Sequence, residues 1–386
     1  MHIAWLGKKS PFCGNVTYGR EVTNALLDRG YQVSFLHFAQ EEETIGTAWG
    51  EVQEVSLPFL LKSQVYTIPS LRSSKVLTQA LKELKPDIVH ASLTLSPLDF
   101  LLPEICEELG IPLVATFHPP FDRKRRNLTS GTQHLMYQLY APFLANYDRV
   151  IIFSKIQRDL LVRLGVPKSK VAIIPNGVDT ERYSPGLSKL KSQLNAQRIF
   201  VYQGRIAIEK NVESLLKAWR QSGMRWDSKL VIVGSGPLAP SLMSAYDEEM
   251  GVVWMGFVAD EQERIQILRS ADVYILPSLV EGLSLSLLEA MSCGVACLAT
   301  DAGADGEVLE EGAGIVLSTH RVATQLQTLL PMFQDHPELT TLLGRKARQR
   351  VLDRYTLSRN ITQLEELYQQ VLQQRVYPGS SVKLSS

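Results

Sequence analysis

Short runs that are apolar at every position alternate along most of the chain with longer segments whose apolar residues recur every three or four positions. The first kind predicts strands over Ile3–Leu6, Val33–His37, Ile88–Ala91, Leu113–Phe117, Val150–Phe153 and Val171–Ile174. The second predicts helices over Tyr18–Arg29, Ser74–Leu84, Ser96–Leu109, Gln133–Ala145 and Ile156–Leu164. A strand with no polar face has to be covered on both sides, and helices between the strands supply that cover, so the pattern describes a parallel sheet. It pauses at the turn-rich Pro175-Asn176-Gly177-Val178-Asp179 and begins again. Strands are then expected at Arg198–Gln203, Lys229–Val233, Val252–Met255, Val273–Pro277, Ala296–Ala299 and Gly314–Val316. The helices between them are Val212–Arg220, Leu238–Glu249, Asp260–Arg269, Leu287–Ser292 and Arg321–Phe333. Two strong helical patterns follow, Glu338–Arg354 and Ile361–Gln373, before a Ser-rich tail at 376–386 that is expected to be disordered.

The expected fold is therefore α/β, two Rossmann-like doubly wound parallel-sheet domains facing a cleft, at 1–180 and 181–355. In such sheets ligands bind beyond the carboxyl ends of the strands. At 386 residues the chain exceeds what one small core accommodates. Forty basic and forty acidic residues give a formal charge of zero, which removes any global argument for nucleic acid as a partner. The four cysteines lack paired metal spacing and read as reduced core thiols of a cytosolic protein. The opening MHIAWLGKK is too short for a secretory leader and carries its lysines after the apolar run, so it reads as a first strand. No stretch of about 18 apolar residues predicts a membrane-spanning helix.

Candidate chemistry gathers at the ends of predicted strands. Glu281 and Glu289 lie in VEGLSLSLLEAMSCG, which reads as strand, loop and helix. The amides of Ser284 to Leu287 would be left unpaired at the helix start and would suit a phosphate or sugar oxygen. Ser286 and Glu289 equally fit a capping box. Gly204-Arg205 and Lys210 bracket another strand-to-helix junction, where an arginine fork and a lysine point charge could both face a diphosphate or simply decorate the surface. Gly234, after a third strand, could let backbone approach a ligand or merely let the chain turn. His118 follows a buried strand and is held by Pro119 and Pro120. Gly14 lies between the first strand and first helix, with Lys8 and Lys9 near. Arg123-Lys124-Arg125-Arg126 is the dense basic run, and Leu135, Met136, Leu139, Tyr140, Phe143 and Leu144 follow on a helix, so that this segment suits either an anionic membrane surface or a solvated loop beside a core helix.

Taken together these residues resemble the retaining glycosyltransferases of family 4, which have the two-domain GT-B fold. The resemblance rests on Glu281 and Glu289 within EGLSLSLLEAMSCG, on GRIAIEK from Gly204 to Lys210, on PNGVD from Pro175 to Asp179 and on His118. It implies that the helix within 356–375 returns to the N-terminal domain. It assigns Arg205 and Lys210 to the donor diphosphate, Glu281 with the amides of Ser284 and Leu285 to the donor sugar, and Glu289 to the ribose. His118 would contact the sugar from the opposite domain, and Gly14 the diphosphate or acceptor. No metal or other cofactor is implied beyond the nucleotide-sugar donor, and the chemistry implied is front-face substitution.

The chain departs from the family pattern in three places. Gly14 is followed by Asn15 where a second glycine is usual, Glu-Gly-Phe-Gly-Leu-Pro becomes Glu281-Gly282-Leu283-Ser284-Leu285-Ser286, and Pro119 follows the histidine in place of Asp. With its altered glycine loop, GKKSPFCGNVTYGREVTNALL further resembles the digalactosyldiacylglycerol synthases of photosynthetic bacteria. That likeness implies transfer of galactose from UDP-galactose to the glycolipid monogalactosyldiacylglycerol by a cytoplasmic enzyme, peripheral on the inner or photosynthetic membrane. A family member acting on polysaccharide or soluble glycoside, a non-catalytic nucleotide-sugar-binding protein and a nucleotide-sugar epimerase are the competing readings.

Overall fold

The computed structural model describes residues 1–10, 13–38, 52–63, 66–93, 95–120 and 128–376. The chain forms two compact units. One is built from Met1–Pro119, Thr132–Asn176 and the segment from Leu357, the other on Gly177–Thr356.

The first unit carries seven parallel strands, β1 (His2–Gly7), β2 (Gln32–His37), β3 (Gln53–Ser56), β6 (Ile88–Ser92), β7 (Leu113–Thr116), β8 (Arg149–Ile152) and β9 (Val171–Ile173). They are ordered β3-β2-β1-β6-β7-β8-β9. Their connections include α1 (Gly14–Asp28), α2 (Ser73–Leu84), α3 (Leu102–Glu108), α4 (Leu128–Leu144) and α5 (Lys155–Arg163). Ile3, Ala4 and Trp5 in β1, and Ile88 and Val89 in β6, are buried, as strands covered on both faces require. A small antiparallel pair, β4 (Phe59–Lys62) with β5 (Thr67–Pro69), stands apart from the main sheet.

The second unit repeats the design with β10 (Arg198–Gln203), β11 (Ser228–Val233), β12 (Val252–Gly256), β13 (Val273–Leu276), β14 (Ala296–Thr300) and β15 (Ile315–Leu317). All are parallel, in the order β12-β11-β10-β13-β14-β15. Around them lie α6 (Leu190–Gln193), α7 (Val212–Gln221), α8 (Ala239–Ala245), α9 (Glu261–Ser270), α10 (Leu285–Ser292), α11 (Asp305–Val308), α12 (Val322–Asp335) and α13 (Pro337–Arg354). On α7, Val212, Leu215, Leu216 and Trp219 are buried at helical spacing, one stripe against the sheet. In each unit the strand order reverses once, between β1 and β6 and between β10 and β13, and an open α/β sheet places its ligand at that reversal.

The last helix, α14 (Leu357–Val376), belongs to the first unit. It buries Ile361, Leu364, Leu367, Tyr368 and Val371, while Arg29 at the end of α1 donates to Glu365, Thr362 and Ser358. Asn360 Nδ2 donates to the Pro175 carbonyl at 2.6 Å.

Two predicted stretches come out differently. Ser96–Leu109 is not one helix but a 3₁₀ turn at Pro97–Phe100 followed by α3. Ser96 and Asp99 form a capping box at its start, and Pro103 offers no N–H and blocks the Asp99 carbonyl, which accepts the Tyr147 hydroxyl at 2.7 Å instead. Leu238–Glu249 breaks at Tyr246, which is extended with its carbonyl turned to Trp254 Nε1 at 2.7 Å. Asp247 then caps a separate turn. Strands β3, β4 and β5 were not expected, and most of their residues are exposed or only half-buried. Among the described residues no helix is long and apolar enough to cross a membrane. The basic run at 123–126 and the tail from 377 lie outside the described residues.

Candidate functional site

In the second unit, the reversal between β10 and β13 collects five of the residues singled out in the sequence: Gly204, Arg205, Lys210, Glu281 and Glu289. After β10 the chain turns through Gly204 and Arg205 to a short 3₁₀ turn, Ile208–Lys210. After β13 it runs through Glu281 into α10. Lys210 Nζ donates to Glu281 Oε1 at 2.5 Å, so two residues with separately expected roles form one ion pair, both side chains largely buried. Arg205 pairs with Glu209 one turn on. Glu289, in the second turn of α10, accepts from Gln203 Nε2 at 3.1 Å, which ties the end of β10 to the helix.

Backbone contact leaves little room here. Gly204 N–H donates to the Val233 carbonyl, and Gly234 has a left-handed φ of 134°. A Cβ on Gly234 would lie 1.9 Å from the Gly204 carbonyl oxygen, and one on Gly236 would lie 2.3 Å from that of Ile206. The tips of β10 and β11 therefore touch backbone to backbone, which only glycine permits.

The start of α10 corrects two expectations. Ser284, not Ser286, caps the helix: its hydroxyl accepts the Leu287 N–H, so Ser286 and Glu289 do not form the capping box. The Ser284 N–H is held at 2.9 Å by Asp305 Oδ1, which leaves Leu285 and Ser286, the first two helical residues, as the amides with no partner in the helix itself. Ser286 serves elsewhere, its hydroxyl 2.7 Å from that of Tyr274 and 3.0 Å from that of Ser284. Asp305 is fully buried and its second oxygen has no hydrogen-bond partner. Burial chiefly, then the neighbouring Glu281, raises its carboxyl well above the usual carboxylate range. The same loop braces Glu281, since Ala304 N–H donates to the Gly282 carbonyl and a Cβ on Gly303 would strike the Glu281 carbonyl at 2.2 Å. Sequence spacing gave no signal for Asp305, Tyr274 or Gln203.

In the first unit the corresponding groups are Lys8, Gly14 and His118. Lys8, at the end of β1, is buried and donates to the Ser63 carbonyl, and burial chiefly, with Lys62 nearby, lowers its pKa. Gly14 opens α1; a Cβ there would meet no atom of the described residues within 4 Å, so nothing among them requires glycine. His118 follows β7, its Nε2 2.8 Å from the Ser92 hydroxyl and its ring against Tyr18 and Phe153. Burial, then the Lys8 charge, pushes its pKa down to about 3. Behind it His90, also depressed to about 3, bonds to Tyr368 of α14 and to Thr116, and stacks on Trp5. Ser92, His90 and Tyr368 escaped the sequence reading because their partners lie 26 to 278 residues away. On α4, Leu135, Leu139 and Phe143 form an exposed stripe, whereas Tyr140 and Leu144 are core. Cys106, Cys293 and Cys297 are buried free thiols and Cys13 is half-buried, and no cluster among the described residues could hold a metal.

Two doubly wound parallel sheets, each with polar groups at its reversal point, define the GT-B architecture. Solved structures agree over nearly the full length. Sucrose-phosphate synthase from Thermosynechococcus elongatus superposes with a TM-score of 0.75 at 20% identity, covering 96% of this chain and 99% of that one. Anabaena HepE in complex with UDP-glucose matches with 0.75 at 18%, covering 96% and 100%. The model for glycosyl transferases group 1 matches residues 197–334 and that for glycosyltransferase family 4 residues 14–182. The chain is thus a glycosyltransferase of the group 1 and family 4 superfamily. The UDP-Gal:alpha-D-GlcNAc-diphosphoundecaprenol alpha-1,3-galactosyltransferase of Escherichia coli is 27% identical over 82% of this chain and 84% of its own length. The sulfoquinovosyl transferase SQD2 of Arabidopsis thaliana is 24% identical over 89% of this chain and 66% of its own.

Proposed function

We propose that the protein transfers a hexose from a nucleotide sugar to a membrane glycolipid with retention of anomeric configuration. The observation that carries the donor half is the grouping of Arg205, Lys210, Glu281 and Glu289 at the reversal of the second sheet. Arg205 and Lys210 are the cations for the diphosphate and stabilise charge as it leaves, in the place a metal would otherwise take. Glu281 and the amides of Leu285 and Ser286 receive sugar hydroxyls, and Glu289 the ribose. Donor binding opens the Lys210–Glu281 pair, giving each group its own oxygen. His118 contacts the transferred sugar. The acceptor hydroxyl oxygen bonds to the anomeric carbon on the face from which the phosphate oxygen departs, and its proton passes to that departing phosphate, so no protein carboxylate acts as nucleophile.

For the sugar and acceptor we propose galactose from UDP-galactose to monogalactosyldiacylglycerol, giving digalactosyldiacylglycerol. Support comes from the GKKSPFCGNV run and from the two relatives, one named for a galactosyl donor and a lipid-linked acceptor. The exposed Leu135, Leu139 and Phe143 stripe suits peripheral contact with the inner or photosynthetic membrane from the cytoplasmic side, with Arg123, Lys124, Arg125 and Arg126 beside it in sequence. Purified protein incubated with labelled UDP-galactose or UDP-glucose and monogalactosyldiacylglycerol in liposomes is expected to yield a digalactosyl lipid from UDP-galactose alone. Products on soluble saccharides only would overturn the lipid assignment.

A further inference from the structure

We propose that Ser92 fixes His118 as the neutral tautomer with its proton on Nδ1, so that His118 meets the transferred sugar as a hydrogen-bond donor and never as a base. The proposal rests on the reading that His118 touches that sugar.

Ser92 ends β6 and is 2% exposed; its hydroxyl lies 2.8 Å from His118 Nε2, and the described residues give it no other partner. A neutral imidazole has one N–H and one lone pair, and a hydroxyl has one proton to give. If Nε2 carried the proton it would donate to the Ser92 oxygen, and the Ser92 proton would be buried with no acceptor. If Ser92 donates to Nε2, the buried hydroxyl is satisfied and the proton stands on Nδ1, which has no partner among the described residues and belongs to a ring only half-buried, so that it can be given to a ligand or to water. Leaving a buried donor unpaired is the costlier arrangement, which decides between them. The imidazolium form is disfavoured at any working pH, because burial and the Lys8 ammonium hold the pKa near 3.

The ring is held in register by its surroundings. Tyr18 meets it edge-on at 4.9 Å and Phe153 lies at 5.4 Å. The Tyr18 hydroxyl is anchored on Thr116 at 3.3 Å, Thr116 lies 2.7 Å from His90 Nε2, and His90 Nδ1 is 2.5 Å from the Tyr368 hydroxyl. Ser92 is thus a positioning residue, acting through the tautomer of His118, with a chain of polar contacts behind it that reaches α14.

The test is a long-range proton–nitrogen correlation spectrum of the full-length protein labelled with ¹⁵N-histidine. The chain has seven histidines, and the His118→Asn variant identifies the signals of interest. The wild-type spectrum is expected to show His118 Nδ1 as the protonated nitrogen and Nε2 as the bare one, and Ser92→Ala to move the proton toward Nε2. A wild-type proton on Nε2 would overturn the proposal. Kinetics give the second arm. Ser92→Ala should lower kcat about tenfold with a smaller change in donor KM, the loss of one hydrogen bond made in the transition state. His118→Asn, whose amide takes the place of Nδ1, should retain more activity than His118→Gln, whose amide takes that of Nε2; the reverse order would count against the donor role. Unchanged kcat/KM in His118→Ala would remove the sugar contact itself, whatever the spectrum says of the tautomer.

Discussion

Lys210 faces a choice of partner. Paired with Glu281 at 2.5 Å it neutralises a largely buried carboxylate, and released from it the ammonium has charge to offer a diphosphate. Arg205→Ala and Lys210→Ala are each expected to lower kcat/KM by about tenfold or more, since a charge-assisted contact contributes roughly 1.5–3 kcal/mol. Steady-state rates on folded protein check this, and near-normal values would remove the assignment. Asp305 and His90 make opposite predictions for pH. A carboxyl raised in the fold keeps its proton where the unfolded chain has lost it. Stability from Asp305 is therefore present below pH 4 and declines as pH rises. Asp305→Asn keeps the acceptor for Ser284 without that charge, so it should gain stability relative to wild type between pH 5 and pH 8 in denaturant melts. His90, depressed to about 3, binds its proton only after unfolding, so acidification from pH 6.5 to 5 should cost about 2 kcal/mol through this residue, a slope that His90→Asn would remove. Residues that sit in a recognisable motif, such as Arg205 or Glu281, can be singled out from sequence. Asp305, Ser92 and His90 matter through partners far along the chain, and no local pattern marks them.

At the scale of elements the tips of β10 and β11 are the tightest construction. Gly234→Ala must push a methyl group into the Gly204 carbonyl while holding a φ of 134°, so the Arg205 turn has to shift. Such strain costs on the order of 1–3 kcal/mol. UDP binding measured by calorimetry should weaken about tenfold or more, with far-ultraviolet circular dichroism unchanged; unaltered binding would mean that this backbone contact does not shape the donor site. The regularly patterned elements were the legible ones. β10 was expected over Arg198–Gln203 and is found there, because six consecutive buried positions leave no other reading. β3, with mostly exposed residues, carries no such pattern, and the break at Tyr246 depends on Trp254, a contact invisible to local periodicity. The loop before α10 was legible in kind but not in its bonds, since Asp305 arrives from the following β14–α11 connection.

For the whole molecule, two units with separate cores should not melt as one. If the donor diphosphate binds the second unit, UDP at a hundred times its Kd should stabilise that unit by about 2.7 kcal/mol, and Lys210→Ala should weaken the effect. Differential scanning calorimetry with and without UDP is the measurement; a shift confined to the other transition would place the nucleotide wrongly. The doubling itself was plain in the chain, where the alternation of strand and helix restarts after Pro175.

The return of α14 to the first unit makes that unit discontinuous, with Gly177–Thr356 intervening between its parts. During synthesis the second unit can therefore complete its core while the first, begun earlier, still lacks the helix carrying Tyr368, Ile361 and Leu364. Until that helix leaves the ribosome, the nascent first unit exposes apolar surface around His90, so the half made first is the half finished last and the one most in need of a chaperone.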